Sequence, residues 1–338
     1  MRAIQMTGYG GNDVIELAEI ASPEPGDGEI RIDVRAAGVN PLDYKTRAGA
    51  LKRIQRYRMP VVLGNECSGV VSALGRGVTR FAVGDSVMVR LAKDRIGSFA
   101  EQVVTDASLA APKPRAATFA QAAALPLAAL TAWQALTEGA ALRAGERVLV
   151  HAGAGGVGSF AVQLAKHLGA RVAATASARN LERVRSLGAD EAIDYTRDDF
   201  SRALRGYDVV FDTVGGDVQR RSFRVMARGG RLVSIAGLPD AAALRARGAG
   251  ALAAAVIALV TLPRTVRARV AGVRYRYVFM RPDGGQLADL GALVDRGALR
   301  VLIDKTFPLE AARDALAHVE SGHARGKVVL EVAPHDGV

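Results

Sequence analysis

The stretch Arg147-Val148-Leu149-Val150-His151-Ala152-Gly153-Ala154-Gly155-Gly156-Val157-Gly158-Ser159-Phe160 decides the fold. Its opening residues form a short apolar strand, and Phe160 to Leu168 reads as helix. Between them Gly153 to Gly158 fits the pattern G-x-G-x-x-G. That string alone is weak, but a strand before it and a helix after it supply the context it needs. The glycines permit a tight turn and close approach of backbone to a pyrophosphate. The helix N-terminus adds free N–H groups and partial positive charge. Gly153, Gly155, Gly156, Val157 and Gly158 are therefore expected to bind a dinucleotide.

Downstream the alternation continues. Strand Arg171 to Thr175 is followed by helix Leu181 to Leu187, with Gly188 as its C-cap. Further strands are Ala192-Ile193, Asp208 to Phe211 and Arg231 to Ile235, with Tyr277 to Met280 expected to close the sheet. Strand and helix in alternation over about 120 residues imply βαβ units and a parallel sheet. Upstream the pattern differs. Ile30 to Val34, Gly69 to Leu74 and Ser86 to Val89 read as short strands separated by turn signals such as Pro23-Glu24-Pro25-Gly26 and Gly84-Asp85. Such strands suggest a small barrel or sandwich. Thr118 to Glu138 favours helix, interrupted at Pro126. The tail from Leu287 holds two helical stretches and the strand Val328 to Val332. The fold class is α/β, a Rossmann doubly wound parallel sheet beside a second, β-rich domain. The expected division is 1–121 with 283–338, and 122–282.

Length and composition agree. The 338 residues suggest roughly two domains, and 49% hydrophobic residues suffice for a large core. One cysteine, Cys67, excludes an intramolecular disulfide and any zinc site needing two thiols from one chain. No signal-peptide layout opens the chain, so a cytoplasmic setting is the expectation. The net charge of +11 comes from 7 lysines and 38 arginines against 34 acids. The arginines are scattered, so nucleic acid is not the expected partner. Gly248 to Leu262 is an apolar run of 15 residues, short of the about 20 a membrane span requires. It reads as a buried or interfacial helix.

The end of the second strand selects the cofactor. An NAD site usually places an acid there for the ribose 2′-hydroxyl. Here Ala176-Ser177-Ala178-Arg179-Asn180 has none before Glu182. Ser177 and Arg179 suit a 2′-phosphate instead, which points to NADPH.

Longer motifs identify a relationship. They include Ala36-Ala37-Gly38-Val39-Asn40-Pro41-Leu42-Asp43, Gly64-Asn65-Glu66-Cys67-Ser68-Gly69, Phe81-Ala82-Val83-Gly84-Asp85 and Leu130-Thr131-Ala132-Trp133. The others are Ser186-Leu187-Gly188-Ala189-Asp190, Phe279-Met280-Arg281-Pro282-Asp283-Gly284 and Gly322-His323-Ala324-Arg325-Gly326-Lys327. Together they resemble the medium-chain dehydrogenase/reductases, in the zinc-free quinone oxidoreductase branch that includes plant alkenal/enone reductases and mitochondrial reticulon-interacting oxidoreductases.

The resemblance implies a GroES-like barrel, a Rossmann domain, NADPH in the cleft between them, and usually a homodimer. It places Asn40 beside nicotinamide and substrate, with Asp43 supporting that loop. Lys45 becomes a candidate proton donor, and Tyr44 a candidate pocket wall. It adds Thr131, Tyr195, Thr213, Val214, Gly215, Ala236, Gly237, Phe279, Arg281 and Lys327 as cofactor contacts. Relative to the zinc-dependent members, Asn40 and Asn65 stand where metal ligands are expected, and amides are poor zinc ligands. The implied reaction is hydride transfer from NADPH to a quinone or an α,β-unsaturated carbonyl, without metal. Two alternatives stay open: a reductase of a biosynthetic enoyl thioester or polyketide, and an NADPH-dependent nucleic-acid-binding protein.

Overall fold

A computed structural model describes residues 1–52 and 55–332. The chain divides into two compact units, Met1–Leu130 with Pro282–Val338, and Thr131–Arg281. The first boundary falls nine residues beyond the expected 121. The cause is the helix Phe119–Ala124, whose Ala120, Ala123 and Ala124 pack against Ala36 and Val329 of the first unit.

The first unit is built on two sheets. One has three strands, ordered Ile15–Glu19, Arg2–Met6, Val61–Val62. The other runs Ile303–Pro308, Lys327–Glu331, Glu29–Val39, Glu66–Leu74, Ser86–Arg90, Ala110–Pro112, and Gln102–Asp106 also pairs with Glu29–Val39. Alternating residues of Glu29–Val39, namely Ile30, Ile32 and Val34, face a core shared with Ile4, Met6, Leu63 and Phe99. The helix Ala312–Glu320 adds Ala315 and Leu316 to that core. The tail thus contributes two strands. Ile303–Pro308, whose residues are mostly half-buried or exposed, lacks the apolar run that marks a buried strand.

The second unit is a six-stranded parallel sheet. Its order is Glu191–Asp194, Arg171–Ala176, Arg147–Val150, Tyr207–Asp212, Met226–Ser234, Arg274–Tyr277. In chain order that is 3-2-1-4-5-6, the doubly wound arrangement. Leu149, Ala173, Val210 and Leu232 are buried in its core. The closing strand is Arg274–Tyr277, slightly earlier than expected, and only Tyr277 of the expected segment belongs to it.

The apolar run differs most from expectation. It is a bent pair of helices, Ala251–Val260 and Leu262–Val270, at 60° to each other. Pro263 sits in the first turn of the second helix, where its missing N–H costs nothing. Most of the large aliphatic residues of the pair are exposed, so of the two expectations, buried or interfacial, the buried one fails. Among the described residues no single helix is long and apolar enough to cross a membrane.

Candidate active site

The parallel sheet of the second unit ends in a cluster of loops at its C-terminal strand edge, where open α/β sheets bind their ligands. The Arg147 strand delivers His151 and then Ala152, whose φ is +51°. The chain turns with the Gly155 N–H donating to the Ala152 carbonyl at 2.9 Å. Gly158 packs so closely there that a Cβ would lie 2.1 Å from the Ala152 oxygen. Only glycine fits. Helix Gly156–His167 then begins, and its N-cap Gly155 offers no side chain to the first-turn amides. The amides of Gly156, Val157 and Gly158 are thus left for an anion.

Side chains lace the neighbouring strand ends into one frame. The Thr175 hydroxyl accepts from the Ala152 N–H at 3.1 Å, and the Thr213 hydroxyl donates to the His151 carbonyl at 2.8 Å. Buried Asp212 receives the N–H groups of Val214 and Gly215 at 3.0 and 2.8 Å, and the Gln219 amide and Ser234 hydroxyl on its other oxygen. This holds the Thr213 to Gly215 loop, with Gly215 at φ +79°. Ala236 and Gly237 follow Ser234 at the next strand end. His151 is buried, 3.2 Å from Thr175 Oγ1 and 2.9 Å from Ser222 Oγ, and burial drives its pKa down to about 4. It is a neutral structural residue.

Ser177 and Arg179 lie just past the second strand. Ser177 Oγ accepts from the Asn180 amide at 3.1 Å, and Arg179 is exposed. Tyr195 is exposed past the next strand, its N–H on the Ala176 carbonyl at 3.1 Å. The structure thus gathers the glycine loop, Ser177, Arg179, Tyr195, Thr213 to Gly215, Ala236 and Gly237 along one strand edge. Phe279 packs edge-on against Tyr277 at 4.9 Å, with Arg247 over its face. The Arg281 guanidinium is bound to both oxygens of Glu138, at 2.6 and 3.0 Å. That engagement runs to a carboxylate and was not foreseen. Thr131 is buried on the helix Pro126–Gln134.

The first unit holds a different kind of cluster, built by strand register. Val328 pairs with Val39, so Lys327 stands opposite Asn40. Ala37 pairs with Cys67, so Glu66 stands opposite Gly38. Three neighbouring strands therefore deliver an amide, a carboxylate and an ammonium to one place. All three are buried. The Lys327 ammonium donates to Glu66 Oε1 at 2.7 Å and also to Asn40 Oδ1. Asn40 Nδ2 donates to the same Glu66 oxygen at 2.7 Å. The other Glu66 oxygen accepts the Leu127 N–H at 2.6 Å, in the first turn of a helix, where an anion is favoured.

Gly38 makes room for this arrangement. A Cβ there would lie 2.4 Å from Glu66 Oε1. Asn40 is also the N-cap of helix Pro41–Arg47, and its N–H donates to Asp43 Oδ2 at 2.7 Å. The second Asp43 oxygen accepts from Asn65 Nδ2 at 2.6 Å. Asp43 is fully buried, which pushes its pKa up to about 6.

Asn40, Asp43 and Lys327 thus meet, while Lys45 does not join them. It is exposed on the helix, because residues two apart do not share a face. Tyr44 is half-buried against the first unit's core. Lys327 is committed to Asn40 and Glu66 within the first unit. In the sequence Asn65 stands out only as a departure from a ligand set and Glu66 only as part of a motif; their structural signal is the register of distant strands.

Comparison with known proteins completes the assignment. Residues 26–115 match the alcohol dehydrogenase GroES-like domain, and residues 187–330 match the family described as zinc-binding dehydrogenase. The chain belongs to the medium-chain dehydrogenase/reductase superfamily. It is an oxidoreductase. Its relatives include the chloroplastic NADPH-dependent alkenal/one oxidoreductase of Arabidopsis thaliana, 36% identical over 99% of this chain and 80% of the relative. The quinone oxidoreductase of Coxiella burnetii superposes with a TM-score of 0.86 at 35% identity, over 98% of this chain and 99% of that one. The quinone oxidoreductase of Escherichia coli complexed with NADPH gives 0.82 at 26% identity, over 98% and 100%.

Proposed function

We propose that this oxidoreductase is a zinc-independent reductase that delivers hydride from NADPH to a quinone or an α,β-unsaturated carbonyl. One observation carries the metal-free part. The cation seated among Asn40, Asp43, Asn65 and Glu66 is the Lys327 ammonium. Two amides, one carboxylate bound to an ammonium and a second, Asp43, bound by Asn65 and the Asn40 N–H do not suit zinc, which takes Cys, His or free carboxylate. Among the described residues no group of three His, Cys, Asp or Glu could hold a metal ion. Cys67 is buried, and burial raises its thiol pKa beyond the usual range, so it supplies no thiolate.

NADPH, when bound, supplies the hydride. The chain's own contribution is placement. The uncapped first turn of Gly156–His167 binds the pyrophosphate. Arg179 and Ser177 receive the 2′-phosphate, and the chain carries no acid from Ala176 until Glu182. Asn40 has both ends of its amide engaged, so it acts by fixing the loop Asn40 to Asp43 rather than by donating to the acceptor. The similarity to alkenal/one and quinone oxidoreductases supports acceptors in which hydride reaches a conjugated system and negative charge develops on oxygen. Chelator-treated protein should oxidise NADPH faster than NADH against benzoquinones, naphthoquinones, 2-alkenals, enones and an enoyl thioester. Activity lost on chelation and restored by zinc would overturn the proposal.

A further inference from the structure

The helix pair in the second unit carries an exposed aliphatic surface. Thirteen large hydrophobic residues are exposed among the described residues, and seven of them fall between Leu252 and Val270. Single exposed aliphatics are ordinary, but a contiguous patch marks an interaction surface. Leu252, Val256, Leu259 and Val260 are spaced i, i+4, i+7, i+8, one face of the first helix. Val266 and Val270 continue a stripe from the start of the second helix at i+4 spacing. Each helix is seated by one buried alanine, Ala254 or Ala268, on the side opposite its stripe. Leu252 and Val270 are 80% and 79% exposed, so the stripes are turned outward.

Within the segment that carries this patch the formal charges have one sign, and Asp240 just before it is held by the N–H groups of Ala243 and Tyr277. From Ala241 to Pro282 there is no Asp or Glu, and there are eight arginines. Arg245, Arg267, Arg269 and Arg274 are exposed. At 3.6 residues per turn, Arg267 and Arg269 flank the second helix's stripe on either side. Aliphatic face and arginine rim together fit the headgroup boundary of an anionic bilayer. A second copy of this chain fits less well, because a two-fold contact would bring the two arginine rims together. Nucleic acid would leave the aliphatic stripes without a partner. The helices have ten and nine residues, so each reaches only about 15 Å, half a hydrocarbon core. Neither helix alone is long enough to span it, and the 60° bend between them suits a place along the interface.

We propose that the helix pair Ala251–Val260 and Leu262–Val270 is a membrane-surface anchor that docks the protein on anionic lipid. The test is co-sedimentation of the full chain with phosphatidylcholine vesicles, alone or with about one-third phosphatidylglycerol. The protein should pellet with the anionic vesicles and far less with the neutral ones, and salt should release it. L252E/V256E/L259E should weaken binding at least about tenfold, since each change puts a charge into the apolar face. R267A/R269A should weaken it several-fold and flatten the salt dependence. Both variants should keep NADPH turnover and their circular dichroism spectrum. No binding to anionic vesicles, or equal binding by the triple variant, would overturn the proposal. So would a dimer that the triple variant converts to monomer, because a second copy would then be the occupant.

Discussion

Replacing Lys327 by methionine tests the buried cluster most directly. Methionine keeps roughly the length of the side chain and removes the charge together with the hydrogen bonds the ammonium donates to Glu66 and Asn40. Glu66, fully buried, would retain the Asn40 amide and the Leu127 N–H but lose its cation. Removing one partner of a buried ion pair costs about 3–5 kcal/mol, because a desolvated charge is left behind. For a unit of this size that lowers the melting temperature by roughly 6–20 °C. Asp43 gives the effect a pH signature. Its pKa is raised to about 6, first by burial, and the Lys327 charge counteracts that rise. A carboxyl raised in the folded state favours folding below its ordinary value and loses that contribution as pH climbs through its folded value. Without Lys327 the ionisation of Asp43 costs more, so the variant's deficit should grow from pH 5 to pH 8.

Urea unfolding by far-ultraviolet circular dichroism at both pH values measures this. Fluorescence of Trp133, the single tryptophan, follows the other unit separately. A second variant, K327M/E66Q, removes the orphaned charge and should recover much of the loss, a coupling that independent sites do not show. K327M within about 0.5 kcal/mol of the parent at pH 8 would refute the reasoning, since that is the size of an ordinary surface change.

Other expectations follow from the same geometry. N40A should lower kcat/KM while NADPH affinity, measured by fluorescence titration, stays constant. R179A should raise the KM for NADPH at least several-fold and leave NADH nearly unchanged; equal effects on both would remove Arg179 from the 2′-phosphate site. His151, with its pKa lowered to about 4, contributes stability present above its ordinary 6.5 and lost as pH falls through about 4. That contribution is about 3 kcal/mol. Urea midpoints between pH 7 and 4.5 should fall less in H151N than in the parent. G38A should drive a Cβ into Glu66 and the Ala123 carbonyl, destabilising the first unit by more than about 1 kcal/mol.

The parallel sheet was legible because its strands are buried on both faces and read as apolar runs around a glycine turn. The cofactor loops could be named for the same reason: each follows a strand. Two things were not legible. The meeting of Lys327 with Asn40 joins residues 287 positions apart, and it depends on antiparallel register that no local pattern encodes. The exposure of Leu252 to Val270 was hidden because apolar composition tells what a helix is made of, and says nothing about what covers it. The resemblance implied that Asp43 supports the loop at Asn40, and the structure shows the means, a capping box at the start of Pro41–Arg47.

The place of the Lys327 strand inside the first sheet has a consequence for synthesis. The strand lies between Ile303–Pro308 and Glu29–Val39, so it is an interior strand made long after the latter. At 5–20 residues per second the ribosome needs roughly 15–60 s to travel from the Glu29 strand to it. Throughout that interval the second unit can close on its own contiguous chain, while the first waits with an open strand edge and Glu66 lacking its counter-ion. The nascent protein is a completed nucleotide-binding half trailing an unfinished sheet, and nascent-chain chaperones would be expected to hold that open edge.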